Sequence, residues 1–539
     1  ADFPISGSDT YIPGAEVEIK AGYHQNDVTI FKGVIVRHAI QVDIRKNALL
    51  EIHCYDKAIA MTLARNSAYF KKQKDSDIIS SLISNSGLSA DVKATTYQHP
   101  ELVQYFCTDW DFVVNRADVV GSIVVVDDGK VSVQPPEVSA SASLLIEYGD
   151  ALQEIEAEID ARYQMPSVSA KSWDFSSQAQ ASGDSQEPSV NEQGNLTGKT
   201  LSDVLGVSAF DLQTTGSLAA DALKVWANGR LLKTRMARIR GSVRFQGNAS
   251  PKPGGTIELA GLGARFNGTA FVSAVHHVIE NGDWNTETTF GLDPKWFSKQ
   301  ADVQPPPVSG LLPGVQGLQI GKVKQIDQDE DNQFRVLVNL TMVDPAGEGI
   351  WARLTSFYAT NNAGGYFFPE VDDEVVLGFL NNDARYPVIL GSLYSSQHSA
   401  PFTPDKPNTN KAIITNSQLK IVFDEEKKVI TIETPGGHKM EMSDEGQSIL
   451  IQDSNSNKIE MSSSGILIQS NSDINIKANA NINGKANANL ALEATSGASL
   501  KGLTVDLAAN TSLTAKGNAS AELSAAGQTT VKGAMVMIN

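Results

Sequence analysis

Between Ile466 and Val531 the apolar residues keep a beat of eight. Ile466, Ile474, Ile482 and Leu490 form one row, and Ile468, Ile476, Gly484, Leu492 and Leu500 form a second. After one seven-residue step the second row resumes as Leu507, Ala515, Leu523 and Val531. Row members two apart, such as Ile474 and Ile476 or Leu490 and Leu492, share one face of a strand. Asn, Gly and Ser, which favour turns, fill much of the space between them. The composition alone would suit a disordered polar tail. A period held this long is instead a repeat architecture.

A single chain cannot satisfy that repeat. One coil of a single-chain β-solenoid needs about twice eight residues. Sixteen Ile, Leu, Val and Met side chains in residues 471–539 also bury too little surface to offset the ordering of so much backbone. Three copies wound around one another resolve both difficulties. Each supplies a strand per level, the rows meet on the axis, and no long free edge remains. The expectation is a narrow, trimeric, intertwined triple-stranded β-helix. Its core comprises Ile466, Ile468, Ile474, Ile476, Ile482, Leu490, Leu492, Leu500, Leu507, Leu513, Leu523 and Val531.

The needle region is taken as 411–539. Phe423 is the last aromatic residue and Pro435 the last proline, and "HKMEMS" (438–443) returns as "NKIEMS" (457–462). Residues 1–300 read as mixed and β-rich, a barrel-like region with a few inserted helices, expected to hold two β-barrels. Strands are expected over 15–23, 27–44, 238–248, 255–262, 268–282 and 284–292, and helices over 75–87, 109–121 and 220–238. Residues 301–314, "ADVQPPPVSGLLPG", form a proline-rich linker. Five short strands within 315–400, among them "QIGKVKQI", "FRVLVNL" and "PVILGSLY", suit a closed barrel of the OB type. The fold class is therefore mainly β, with helices inserted in the first region.

Chemistry is hard to find in this chain. With 44 basic against 62 acidic residues its net charge is −18, and no basic block offers a nucleic acid a footprint. No apolar run approaches the length of a membrane-spanning helix. Cys54 and Cys107 have no metal-ligand spacing and read as free thiols. "GNLTGKT" (194–200) lacks the first glycine of a phosphate loop, since position 193 is Gln193. "DQDEDNQ" (327–333) lacks the glycine and closing glutamate of a calcium loop. His276 and His277 point to opposite faces of one strand, and no histidine follows His438. The stretch between Tyr394 and Ile413 is too short for an inserted enzyme domain. No catalytic residue, metal or cofactor is expected.

The order of modules resembles the VgrG family of contractile injection systems, which is related to the hub and puncturing spike of contractile phage tails. "PGAEVEIKAGY" with "TIFKGVIVRH" is similar to the family's first hub barrel. "SWDF" (172–175) and "GGTIELAGLGARFNGTAFVSAVHHVIENGDWNTETTFGL" are similar to its second. The most specific match is "GLQIGKVKQI", "GIWARL" and "FFPEVDDEVVLGFLNNDARYPVILGSLY". The hub resembles those of extracellular phage-tail-like particles at least as much as type VI secretion spikes. Family hubs usually carry several dozen residues before "YIPGAEVEIKAGY", so the start is expected to be truncated.

The resemblance implies a non-enzymatic homotrimeric spike, seated in a baseplate below the inner tube and driven through a target envelope on sheath contraction. Its implied partners are further copies of itself, an inner-tube or hub adaptor protein, baseplate proteins and a PAAR-type tip protein. The target membrane is met only transiently, and no nucleic acid is implied. The tip protein would sit on Met535, Val536, Met537, Ile538 and Asn539. The particle would assemble in the bacterial cytoplasm and be released on firing. The competing reading is a β-helical tailspike or adhesin that binds surface glycans. That would call for aromatic platforms and paired carboxylates. Residues 471–539 contain no aromatic side chain and only Asp473, Glu493, Asp506 and Glu522, widely spaced.

Overall fold

The computed structural model describes residues 3–43, 46–300 and 302–538. The chain is mainly β and divides into two units, the first ending at Tyr394 and the second beginning at Ser395. The first unit opens with an antiparallel sheet of Glu16–Tyr23, Asn26–Asp43 and Lys46–Tyr55. Its first hairpin turns on His24 and Gln25, both left-handed at φ 54° and 67°. That geometry matches strand twist but is usually made by Asn-Gly, so local sequence did not announce it.

Helices α1 (Asp75–Asn85) and α2 (Asp109–Val119) pack with the sheet formed by Ser89–Val92, Lys130–Gln134 and Ile123–Asp127. Ile79, Ile83, Phe112, Val113 and Val131 lie buried in the core they share. The Thr108 hydroxyl caps α2 by accepting the Asp111 N–H at 3.0 Å. Both helices stop two residues before the expected ends because Gly87 and Gly121 turn left-handed, at φ 75° and 69°.

A six-stranded sheet follows, in the order Leu152–Ile159, Ile239–Gln246, Asp283–Phe290, Gly268–Glu280, Thr256–Ala260 and Leu145–Glu147. Its buried face carries Ile146, Val243, Phe245, Ile257, Leu259 and Phe290. Beyond the short helix α3 (Gly198–Ser202), helix α4 (Ala220–Met236) lies on a three-stranded sheet. There Leu223, Ala227 and Leu231 pack against Val168 and Ala170. Among the described residues, the sheets of the first 300 positions are open.

The region expected as an OB barrel does close on itself. Its strands run Gln319–Gln325, Arg335–Leu340, Ile350–Leu354, Pro387–Ser392 and Glu374–Phe379 around the ring. Val323, Val336, Val338, Ala352, Leu377 and Ile389 fill it, as strict strand alternation requires. The proline-rich segment before it is anchored rather than free. Arg65 Nη2 donates to the Asp302 carbonyl at 2.6 Å and carboxylate at 2.8 Å, while Val303 and Val308 are buried.

The second unit begins as a meander of seven five-residue strands, from Asn410–Ile414 to Gly465–Gln469, each antiparallel to the next. From Asn471 to Ile538 no strand is paired within the chain.

Candidate assembly surface

Alternation in the meander sorts its side chains onto two faces. On one face Ile413 stands opposite Ile421, and the ladder continues through Ile432, Met440, Ile451 and Ile459 to Ile468. A second ladder beside it runs Phe423, Ile430, Met442, Ile449, Met461 and Ile466. The other face carries polar groups, including the ion pairs Lys439–Glu441 at 2.6 Å and Lys458–Glu460 at 2.7 Å. Directly paired apolar side chains of this kind stabilise a sheet only if something dry covers them.

Within one chain nothing does so adequately. Ile432, Met440, Ile449, Ile451, Ile459 and Met461 remain 38% to 44% exposed. The two ladders end in Ile468 and Ile466, which are also the first members of the octad rows. The rows thus prolong the ladders along the sequence. The needle-core residues Ile466, Ile468, Ile474, Ile476, Ile482, Leu490, Leu492, Leu500, Leu507, Leu513, Leu523 and Val531 are between 53% and 88% exposed in the single chain. Each would gain about 1.5–3 kcal/mol from full burial. The last apolar group, Met535, Val536, Met537 and Ile538, is equally bare. Asn539 lies outside the described residues.

The meander ladders are the part that reading by octads missed. Their signal was present as two nineteen-residue series, at 413, 432 and 451 and at 421, 440 and 459. The repeat of "HKMEMS" as "NKIEMS" is a visible fragment of it.

The isolated motifs are occupied by structural work. Thr197 of "GNLTGKT" caps α3, accepting the Thr200 N–H at 3.0 Å, and Gly198 leaves room for the Arg235 side chain. His277 bonds Thr286 Oγ1 at 2.9 Å, and burial, then Lys252 and His276, disfavour its protonation. His276 faces outward. In "DQDEDNQ" the Asp329 carboxylate is bound by Arg335 and accepts the Gln333 N–H at 2.9 Å. The Arg335 hydrogen bond holds it well below the usual carboxylate range. Cys54 and Cys107 are both free, and burial raises each thiol pKa. Among the described residues, no group of three His, Cys, Asp or Glu could hold a metal. No helix there is long and apolar enough to cross a membrane.

Open hub-like sheets, a closed five-strand barrel and a one-sided apolar sheet prolonged by an octad repeat define a modular β-protein of the baseplate-injector class. Residues 1–281, over half the chain, match the family described as the Alg8 N-terminal domain, and the chain belongs to that family. Residues 319–394 match the type VI secretion system/phage-baseplate injector OB domain, and residues 429–493 the phage baseplate V C-terminal trimerisation domain. With these modules the chain groups with the VgrG and phage-baseplate spikes.

A curated relative, the type VI secretion system spike protein VgrG1b of Pseudomonas aeruginosa, is 22% identical over 371 residues. The match covers 64% of this chain and 48% of the relative, so the chain spans about half of that protein's length. VgrG5 of the same organism is 33% identical over 67 residues, 12% of this chain and 8% of VgrG5. Among solved structures, a prophage tail protein from Shewanella oneidensis is 11% identical with a TM-score of 0.36, covering 50% of this chain and 78% of its own. A tail protein from Neisseria meningitidis is 13% identical with a TM-score of 0.38, covering 55% and 93%. The VgrG and baseplate scaffolds are generally non-enzymatic.

Proposed function

We propose that this chain is the non-enzymatic central spike of a contractile injection system, working as a homotrimer. The observation that carries the reading is the pair of apolar ladders that passes into the octad rows and stays partly exposed in one chain. Three copies placing these faces together about an axis bury them, and the polar face with its Lys–Glu pairs then meets solvent. The match of residues 429–493 to a trimerisation domain supports the same arrangement. The spike and baseplate relatives support its place as a hub or spike component.

In this reading the barrel and hub seat the trimer in the baseplate beneath the inner tube. The needle is the part driven through the target envelope. The residues along it supply stiffness and no chemistry. Met535, Val536, Met537, Ile538 and Asn539 form the seat for a PAAR-type tip protein, because a bare apolar end usually marks a partner site. Assembly takes place in the bacterial cytoplasm and release follows firing. Removing residues 533–539 and measuring capture of a PAAR-type protein tests the seat. Capture falls to background if the reading holds, and unchanged capture defeats it. The trimer itself is tested by the mass of the full chain in solution.

A further inference from the structure

All five basic residues of 471–538 occupy one position of the octad. Lys477, Lys485, Lys501, Lys516 and Lys532 each directly follow a second-row residue: Ile476, Gly484, Leu500, Ala515 and Val531. The series even keeps the seven-residue step, since Lys501 and Lys516 lie on either side of it. Strand alternation turns this position away from the apolar rows. All five lysines are exposed, and none forms an ion pair among the described residues. The meander differs, because Lys439 and Lys458 are neutralised by Glu441 and Glu460 two residues on.

Pairing between copies does not account for the column. Symmetric copies would need carboxylates at a constant offset from the lysines. No carboxylate position serves all five: Asp506 and Glu522 share the place before a second-row residue, Asp473 precedes first-row Ile474, and Glu493 occupies the lysine position itself. The partner for this charge therefore lies off the chain. It is also one that needs no stacking platform, since residues 471–538 contain no aromatic side chain. On a chain of net charge −18 this region holds more basic than acidic groups, five against four.

We infer that the lysine column is a contact surface for the phosphate headgroups of an anionic lipid membrane. The inference rests on the spike reading, in which three copies turn each lysine position into a ring of three ammonium groups. Lysine near an anionic leaflet is attracted as a point charge, and the attraction is screened by salt. Successive rings would meet the headgroup layer one after another as the needle enters it.

Co-sedimentation of the full chain with vesicles tests this. Phosphatidylcholine vesicles with and without phosphatidylglycerol are compared at low and high salt, using wild type, a variant with all five lysines changed to Gln, and one with all five changed to Arg. Binding to phosphatidylglycerol vesicles alone, lost at high salt, weakened at least about tenfold in the Gln variant and kept in the Arg variant, supports the inference. Equal binding to both vesicles, unchanged binding by the Gln variant, or capture of a DNA duplex without vesicle binding overturns it. Should the fivefold Gln variant fail to assemble, K485Q and K501Q singly are each expected to weaken binding about twofold or more, and no change in either counts against the column. The mass of each variant is measured alongside. A monomeric wild type refutes the trimer, whereas a trimer that ignores phosphatidylglycerol refutes only the membrane contact.

Discussion

Arg116 Nε donates to the buried Asp75 carboxylate at 2.6 Å, tying α2 to the first turn of α1. His99 Nε2 lies 2.8 Å from the other carboxylate oxygen. Burial by itself would raise the Asp75 pKa, but the hydrogen bonds from His99 and Arg116 outweigh it and hold the group below the ordinary value. A depressed carboxylate contributes stability above its unfolded pKa of about 4, and that contribution is lost as pH falls through the folded value. Protection of the α1 and α2 amides against exchange, taken relative to the intrinsic rate at each pH, should therefore be high at neutral pH and fall below about pH 4. Asp75→Asn strands the Arg116 charge and should cost about 3 kcal/mol of local stability at neutral pH. Exchange unchanged in this variant would refute the role.

The barrel's leading segment offers a second test. The Asp302 carboxyl is 89% exposed, so its ion pair with Arg65 should contribute well under 1 kcal/mol. The Arg65 bonds to the backbone carbonyls of Asp302 and Phe106 matter more. Arg65→Ala should make residues 302–310 markedly easier to cleave by protease, whereas Asp302→Ala should change little. Equal effects would place the anchor in the ion pair.

Gly229 marks the crossing of α4 with α2. A Cβ there would stand 2.5 Å from the Val119 carbonyl and 2.9 Å from that of Asp118. Alanine gains about 1 kcal/mol of helix propensity, but forcing the backbones apart costs about 1–3 kcal/mol. Gly229→Ala should lower the melting temperature of the first unit. A rise would show that the crossing yields without strain.

These cases separate what local sequence encodes from what it does not. The octad rows were legible because a strict period survives in one dimension. The barrel strands were legible because Val336 and Val338, or Val375 and Leu377, alternate with outward residues. The parallel pairing of Leu145–Glu147 with Thr256–Ala260 was not legible, for it joins segments more than a hundred positions apart. Nor was the turn at His24 and Gln25, which adopts left-handed backbone without glycine. The apolar face of the meander stayed hidden because its nineteen-residue series interleave, and only pairing lines Ile451 up between Met440 and Ile459.

Adjacent residues on one meander strand discriminate its faces. Ile451 belongs to the apolar ladder, while Leu450 points the other way, between Glu441 and Glu460. Ile451→Lys should break assembly. Leu450→Lys gains two carboxylate neighbours across the sheet and should leave assembly intact. Dissociation in both variants, or in neither, would contradict the assignment of the apolar face as the buried one.

The central claim is that three copies share the ladders and octad rows. The mass of the full chain in solution, measured by light scattering on the eluting peak, addresses it most directly. Three times the chain mass of 57.7 kDa is predicted, persisting on dilution. A stable species of 57.7 kDa would contradict the account.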